Sequence, residues 1–192
     1  MFDHLLEQIA NSLDAAGIPY MVVGGQAVLL YGEPRFTRDI DVTLGIGTDR
    51  LEELLRLVDA RGWKLRPGVS REFVTSSMVL PCEDPASGLY IDFIFSVSAY
   101  EREALRRART AQRGNAAVRF VSAEDLVIHK VVAGRPRDLE DVRIILLKQQ
   151  GIDAAYVRRW LGEFERALSQ SFLAPFEKLW AETHGTPPSP GG

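Results

Sequence analysis

Val22–Val42 reads VVGGQAVLLYGEPRFTRDIDV, and the fold follows from how that stretch is parsed. Tyr20–Val23 is a short apolar strand and Gly24-Gly25 a turn. Gln26–Tyr31 is a brief buried helix stopped by Gly32 and Pro34, and Thr37–Leu44 a second strand. In that second strand Ile40, Val42 and Leu44 share one face, while Thr37, Asp39, Asp41 and Thr43 share the other. Alternation of this kind puts the apolar side on a core and the polar side toward an open cleft. Asp39 and Asp41, at i and i+2, project from one face about 7 Å apart at Cα. The spacing suits a pair of divalent cations; two solvated acids on an edge strand would read the same way. The Gly-Gly turn lacks Cβ atoms, and the helix after it presents unpaired N–H groups and a positive dipole end, so a phosphate can approach. A tight turn without any ligand is the plain alternative.

Outward from this stretch the pattern is mixed α/β and then all helical. Residues 3–16 form an amphipathic helix, with Leu5, Leu6, Ile9 and Leu13 at helical spacing, and a second helix spans Asp49 to Ala60. Strands are expected at Trp63–Leu65, Glu72–Leu80 and Leu89–Phe95, a helix at Ala99–Arg109 and a strand at Ala117–Val121. From Ser122 on, helices are expected after the Ser122/Asp125 capping pattern, at Pro136–Gly151, Asp153–Leu168 and Phe172–Ala181. The predicted organisation is a mixed-sheet core over 1–121, a helical subdomain over 122–182 and a disordered tail over 183–192.

A chain of 192 residues, 46% apolar and 26% charged, is ordinary for a globular protein with a real core. A net charge of −3 supplies no global field for nucleic acid, so such contact needs a local patch. The arginines at 102, 106, 107, 109 and 113 read as a solvated face on and just after one helix rather than as an RNA track. One cysteine, Cys82, excludes an intrachain disulfide and a cysteine-rich zinc site and is read as an inert strand-end thiol. The histidines, at 4, 129 and 184, are too irregularly spaced for a metal site. No apolar run approaches the roughly 20 residues of a membrane span, and the start lacks a signal-peptide pattern, so a cytoplasmic location is expected.

Asp92 is the sharper clue, as the only charge in Gly88–Val97, GLYIDFIFSV. A carboxylate among apolar strand residues is costly unless something neutralises it, either an Arg or backbone donors, or a cation shared with other acids. On a neighbouring strand, Asp92 would complete a cluster with Asp39 and Asp41 able to hold two Mg²⁺ ions.

The order Gly24-Gly25, then Arg35-x-Thr37-x-Asp39-x-Asp41, then Asp92 resembles the nucleotidyltransferase superfamily with the DNA polymerase β-like fold. More narrowly, it is similar to the AbiEii-like abortive-infection toxin nucleotidyltransferases. The stretch Lys130-Val-Val-Ala133-Gly-Arg135-Pro-Arg137-Asp138-Leu-Glu-Asp141 is similar to that group's K-x-x-A-x-x-x-R-D-x-x-D signature, with fewer residues between Ala and Arg-Asp. The resemblance implies that Asp39, Asp41 and Asp92 ligate two Mg²⁺ ions, and that Gly24 and Gly25 hold the triphosphate with help from Arg35 and Thr37. It implies that Lys130 contacts phosphate while Asp138 or Asp141 orients it or assists substrate. The expected activity is Mg²⁺-dependent transfer of NMP from an NTP to an acceptor, toxin-like and acting on RNA such as tRNA, with a cognate antitoxin as a possible partner. A small-molecule nucleotidyltransferase of the aminoglycoside type is the alternative. A non-catalytic NTP-binding or partner-binding protein on the same fold is a further one.

Overall fold

The computed structural model describes residues 2–33 and 37–185. In chain order it holds α1 (Phe2–Ala15), β1 (Tyr20–Val22), α2 (Gly24–Tyr31), β2 (Asp39–Leu44), α3 (Leu51–Ala60), β3 (Lys64–Leu65), α4 (Arg71–Ser77), β4 (Val79–Asp84) and β5 (Leu89–Phe95). Then come α5 (Ala99–Arg107), β6 (Arg109–Arg113), β7 (Ala116–Phe120), α6 (Ala123–Ala133), α7 (Pro136–Lys148), α8 (Ala154–Leu168) and α9 (Leu173–His184). Two compact units result: Met1–Ala27 with Arg35–Ser122, and Val28–Pro34 with Ala123–Gly192. The mixed α/β sheet core followed by a helical C-terminal part is thus the architecture the sequence leads one to expect.

The first unit is built on a seven-stranded sheet of order β3-β4-β5-β2-β1-β7-β6. β2 runs parallel to β5 and antiparallel to β1, and β1 runs parallel to β7. Strand alternation decides what each face carries. On β5, Leu89, Ile91, Phe93 and Phe95 are buried while Tyr90, Asp92 and Ile94 are only partly so. Ile40, Val42 and Leu44 of β2, with Leu80 and Cys82 of β4, are on the buried face. Trp63 closes on Phe93 there, ring centroids 5.9 Å apart. Asp39, Asp41, Tyr90 and Asp92 occupy the opposite, accessible face.

Three local expectations need correction. The stretch read as a strand over Glu72–Leu80 is the helix α4 followed by β4. Its apolar runs at Phe73-Val74 and Met78–Leu80 are divided by helix ends: the Ser70 hydroxyl accepts a hydrogen bond from Phe73 N–H, and Met78 closes the helix in the left-handed region at φ 59°. Within α4, Thr75 and Ser77 donate back to the carbonyls of Arg71 and Phe73, which satisfies the hydroxyls inside a helix. Second, Arg109 and Arg113 do not trail the helix; they lie on β6, which pairs antiparallel with β7. As the terminal strand of the sheet order, β6 shows no apolar alternation, and Arg113 lies over Phe120 and pairs with Asp3 at 3.7 Å. Third, Cys82 lies inside β4, fully buried, rather than at a strand end; burial, with Asp92 adding to it, pushes its thiol up to about 12. That thiol stays protonated and unreactive, as expected of an inert cysteine.

In the second unit α6 packs on α7 and α8, and α9 packs on α7 and α8. Its core is Leu126, Val127, Ile128, Val131, Val142, Ile145, Val157, Leu161 and Phe176. Phe172 and Phe176 are buried in this unit, whereas Leu168 at the end of α8 is exposed. α9 runs on to His184, whose ring stacks on Trp180 at 3.8 Å. The stretch expected to be a disordered tail lies, from residue 186, outside the described residues.

Candidate active site

Sheet register assembles the acids. Asp41 of β2 is the Cα partner of Asp92 on β5, and Asp39 is the partner of Tyr90. Paired residues of adjacent strands lie about 4.8 Å apart and point to the same face. Carboxylates separated in sequence by 51 positions (92 − 41) therefore stand side by side, with Asp39 two residues along the same face. Like charges this close need a counter-charge.

The glycines set the approach from the β1 side. Gly24 begins α2 at φ +59°, in the left-handed region, and a Cβ added there would sit 1.9 Å from Asp41 Oδ2. A Cβ on Gly25 would meet Thr37 Oγ1 at 2.8 Å. The bare backbone thus lets the start of α2 close against the Asp41 carboxylate and Thr37, which puts helix N–H groups and the positive dipole end beside the acids. Thr37 Oγ1 in turn donates to the Asp39 carbonyl at 3.3 Å, and Val23 N–H donates to the Asp41 carbonyl at 2.8 Å. Gly24→Ala is expected to lower stability by about 1–2 kcal/mol from the left-handed backbone alone, and further from the overlap with Asp41. Denaturant midpoints against wild type measure it. Arg35, expected to touch phosphate, lies outside the described residues.

Asp92 is held in an unusual state. Its Oδ1 is buried without a hydrogen-bond partner. Burial raises its pKa, Arg66 opposes the rise and Asp39 adds to it. A carboxyl raised in the folded state favours folding below its unfolded pKa of about 3.9, and that contribution disappears as pH climbs through the folded value. Asp92→Asn is therefore expected to raise the thermal midpoint at pH 7. The gain should vanish as the pH is brought down toward 4; calorimetry across that range checks it.

These residues fit a bound cation. Among the described residues no group of three or more His, Cys, Asp or Glu side chains is placed so that it could hold a metal by itself. Mg²⁺ does not ask for such a cage, because it is usually bound by one or two carboxylates together with substrate phosphates. The orphaned Asp92 Oδ1 and the Asp41 carboxylate against a helix start are the donor set for that kind of shared coordination.

Arg66, which the sequence did not single out, belongs to the same face. Its backbone N–H donates to the Pro81 carbonyl at 3.1 Å, and its guanidinium stacks 4.6 Å from the centroid of the Tyr90 ring. A single arginine after a two-residue strand carries no periodic signal, so only the sheet reveals it.

Lys130, Asp138 and Asp141 form their own cluster within the helical unit. Lys130 Nζ donates to Asp138 Oδ1 at 2.7 Å and pairs with Asp141 Oδ2 at 2.9 Å, all three side chains being buried. Burial pushes Asp138 up, yet hydrogen bonds from Arg135 and Lys130 outweigh it and leave its pKa lowered. On α7 the acids take inward positions at i and i+3, in line with Val142 and Ile145. Deeper in the unit Tyr156 Oη donates to Asp125 Oδ1 at 2.8 Å.

A family model described as "Nucleotidyl transferase of unknown function (DUF2204)" matches residues 2–171. The chain belongs to this nucleotidyl transferase family. The match establishes the polymerase β-like nucleotidyltransferase membership expected from the sequence; the AbiEii-like assignment gains no support from it. No curated protein matches the chain in sequence. Among solved structures, an antigenic nucleotidyltransferase-like protein from Paracoccidioides brasiliensis is 14% identical, with 96% of each chain covered and a TM-score of 0.56. ANT(2")-Ia in complex with adenylyl-2"-tobramycin is 18% identical, covering 86% of this chain and 98% of its own, at TM-score 0.58. The lincosamide antibiotic adenylyltransferase LnuA with lincomycin bound is 13% identical, covering 71% and 91%, at 0.50. At these identities the likeness is one of fold. Among the described residues of this nucleotidyl transferase no helix is long and apolar enough to cross a membrane.

Proposed function

We propose that this nucleotidyl transferase moves NMP from an NTP onto a hydroxyl of a small molecule and releases pyrophosphate. The observation that carries the reading is the register of Asp41 with Asp92, on one sheet face with Asp39 and flanked by the glycine start of α2. The helix N–H groups after Gly24 receive the triphosphate, with Thr37 beside them. Asp92 stands beside the acceptor hydroxyl as the third carboxylate that helps activate it, and the hydroxyl proton passes to solvent. The acceptor oxygen then forms a bond to the α-phosphorus as the bond to the β-phosphate oxygen breaks. Magnesium, held by Asp39, Asp41 and Asp92 together with phosphate oxygens, would supply charge neutralisation and make the acceptor oxygen a better nucleophile.

The small-molecule acceptor takes support from the ligands of two of the similar structures, a tobramycin adduct in ANT(2")-Ia and lincomycin in LnuA. An RNA acceptor and a cognate antitoxin rest on the AbiEii-like resemblance of the sequence motifs. The test offers α-labelled NTPs and Mg²⁺ to the protein with total tRNA, cell protein, an aminoglycoside panel and a cell metabolite pool. Label in a small-molecule fraction supports the proposal. Label only on tRNA replaces it with the RNA reading, and no label with no metal-dependent NTP binding returns the chain to a non-catalytic role.

A further inference from the structure

Sheet order gives the carboxylates two unlike flanks. Reading β3-β4-β5-β2-β1, Gly24 follows β1 on one side, whereas Arg66 follows β3 on the other. The nucleotide phosphates are assigned to the glycine flank, so the far flank, next to Asp92, is where an acceptor lies. Arg66 is exposed there, its guanidinium carbon over the Tyr90 ring and its backbone tied to Pro81, the β4 partner of Asp92. Glu83 is the β4 partner of Tyr90, yet among the described residues no carboxylate forms an ion pair with Arg66. Its charge is felt at Asp92 all the same. A guanidinium fixed by stacking, with its N–H fork unspent, is built to take an oxyanion in two parallel hydrogen bonds. It is equally a repulsive element against a polycationic acceptor, and specificity often rests on such an element.

We propose that Arg66, held on Tyr90 beside Asp92, binds an anionic group of the acceptor, a phosphate, and thereby selects phosphate-bearing acceptors over cationic ones. This rests on the nucleotidyl-transfer reading and adds the acceptor's charge class to it.

Equilibrium binding to the full chain tests it, with Mg²⁺ and a non-hydrolysable ATP analogue present. The probes are ribose, ribose 5-phosphate, an RNA tetranucleotide and tobramycin. Ribose 5-phosphate is expected to bind at least about tenfold tighter than ribose, as a bidentate charge-assisted contact allows. Arg66→Ala should abolish that preference while leaving analogue binding unchanged, and Arg66→Lys should restore only part of it. A tetranucleotide that binds tighter than ribose 5-phosphate, with the same dependence on Arg66, assigns the phosphate to a polynucleotide; the reverse order assigns it to a small metabolite. Equal binding of ribose and its phosphate, a preference that survives Arg66→Ala, or tightest binding of tobramycin overturns the proposal while analogue binding stands. Loss of analogue binding in Arg66→Ala also overturns it, by placing Arg66 on the nucleotide. Failure of the wild type to bind the analogue overturns the transfer reading along with it.

Discussion

Asp41→Asn is expected to reduce nucleotidyl transfer by a factor of about a thousand or more, on the scale of losing a preorganised electrostatic group in an active site. The substitution is close to isosteric, so the start of α2, which closes to within 1.9 Å of Asp41 Oδ2 at the Gly24 Cβ position, keeps its packing. What changes is charge: an amide contributes a weaker oxygen ligand and no compensation for a cation. Stability should hold or rise, because one of the mutually repelling acids on that sheet face is gone. Steady-state kinetics paired with denaturant unfolding checks both halves. A transfer rate within tenfold of wild type would remove Asp41 from the reaction; a collapse of stability would make it a structural acid instead. Asp39→Asn is expected to follow the same pattern, since Asp39 shares the face.

The second large effect is on stability. Lys130→Met is expected to cost about 3–5 kcal/mol, the range found when one member of a buried ion pair is removed. Methionine matches the lysine in length and leaves no large void, so the loss reports the charge. Asp138 and Asp141 would be left in a buried site without the ammonium they share. The exposed Arg135 also pairs with Asp138 and offsets part of the loss. The pH dependence separates this from a packing defect. In the wild type Asp138 is held below its ordinary pKa, so its contribution is present above about pH 4 and lost as pH falls through the folded value. In Lys130→Met, Asp138 loses one of the two cations that hold it low, so the variant should gain relative stability on acidification. The two unfolding profiles should therefore converge toward low pH. A gap that stays constant with pH would mean lost packing.

Strand alternation made β2 legible, because Ile40, Val42 and Leu44 against Asp39 and Asp41 admit one parse, and the lone Asp92 in β5 was conspicuous by its charge. Their adjacency was not legible in the residues alone. It is a property of the parallel β2–β5 register, which no local pattern specifies. The same limit hid Arg66, whose partners Tyr90 and Pro81 come from two other strands. Glu72–Leu80 misled because its two short apolar runs competed with the Ser70 cap and the left-handed Met78. β6 was hidden for the opposite reason: RTAQR, largely exposed on the last strand of the sheet, has no apolar period to read. The Lys130–Asp141 stretch was visible as a motif, yet nothing in it announced that all three charges would be buried together on the inner sides of α6 and α7.

The central claim is that these sheet carboxylates support nucleotidyl transfer, and the stoichiometry of the products tests it most directly. Wild-type protein with Mg²⁺, α-labelled NTP and a fractionated metabolite pool should release one pyrophosphate for each nucleotide that becomes attached to an acceptor. Both signals should be lost together in Asp41→Asn. Release of orthophosphate without nucleotide attachment, or transfer that persists in Asp41→Asn, would contradict the account.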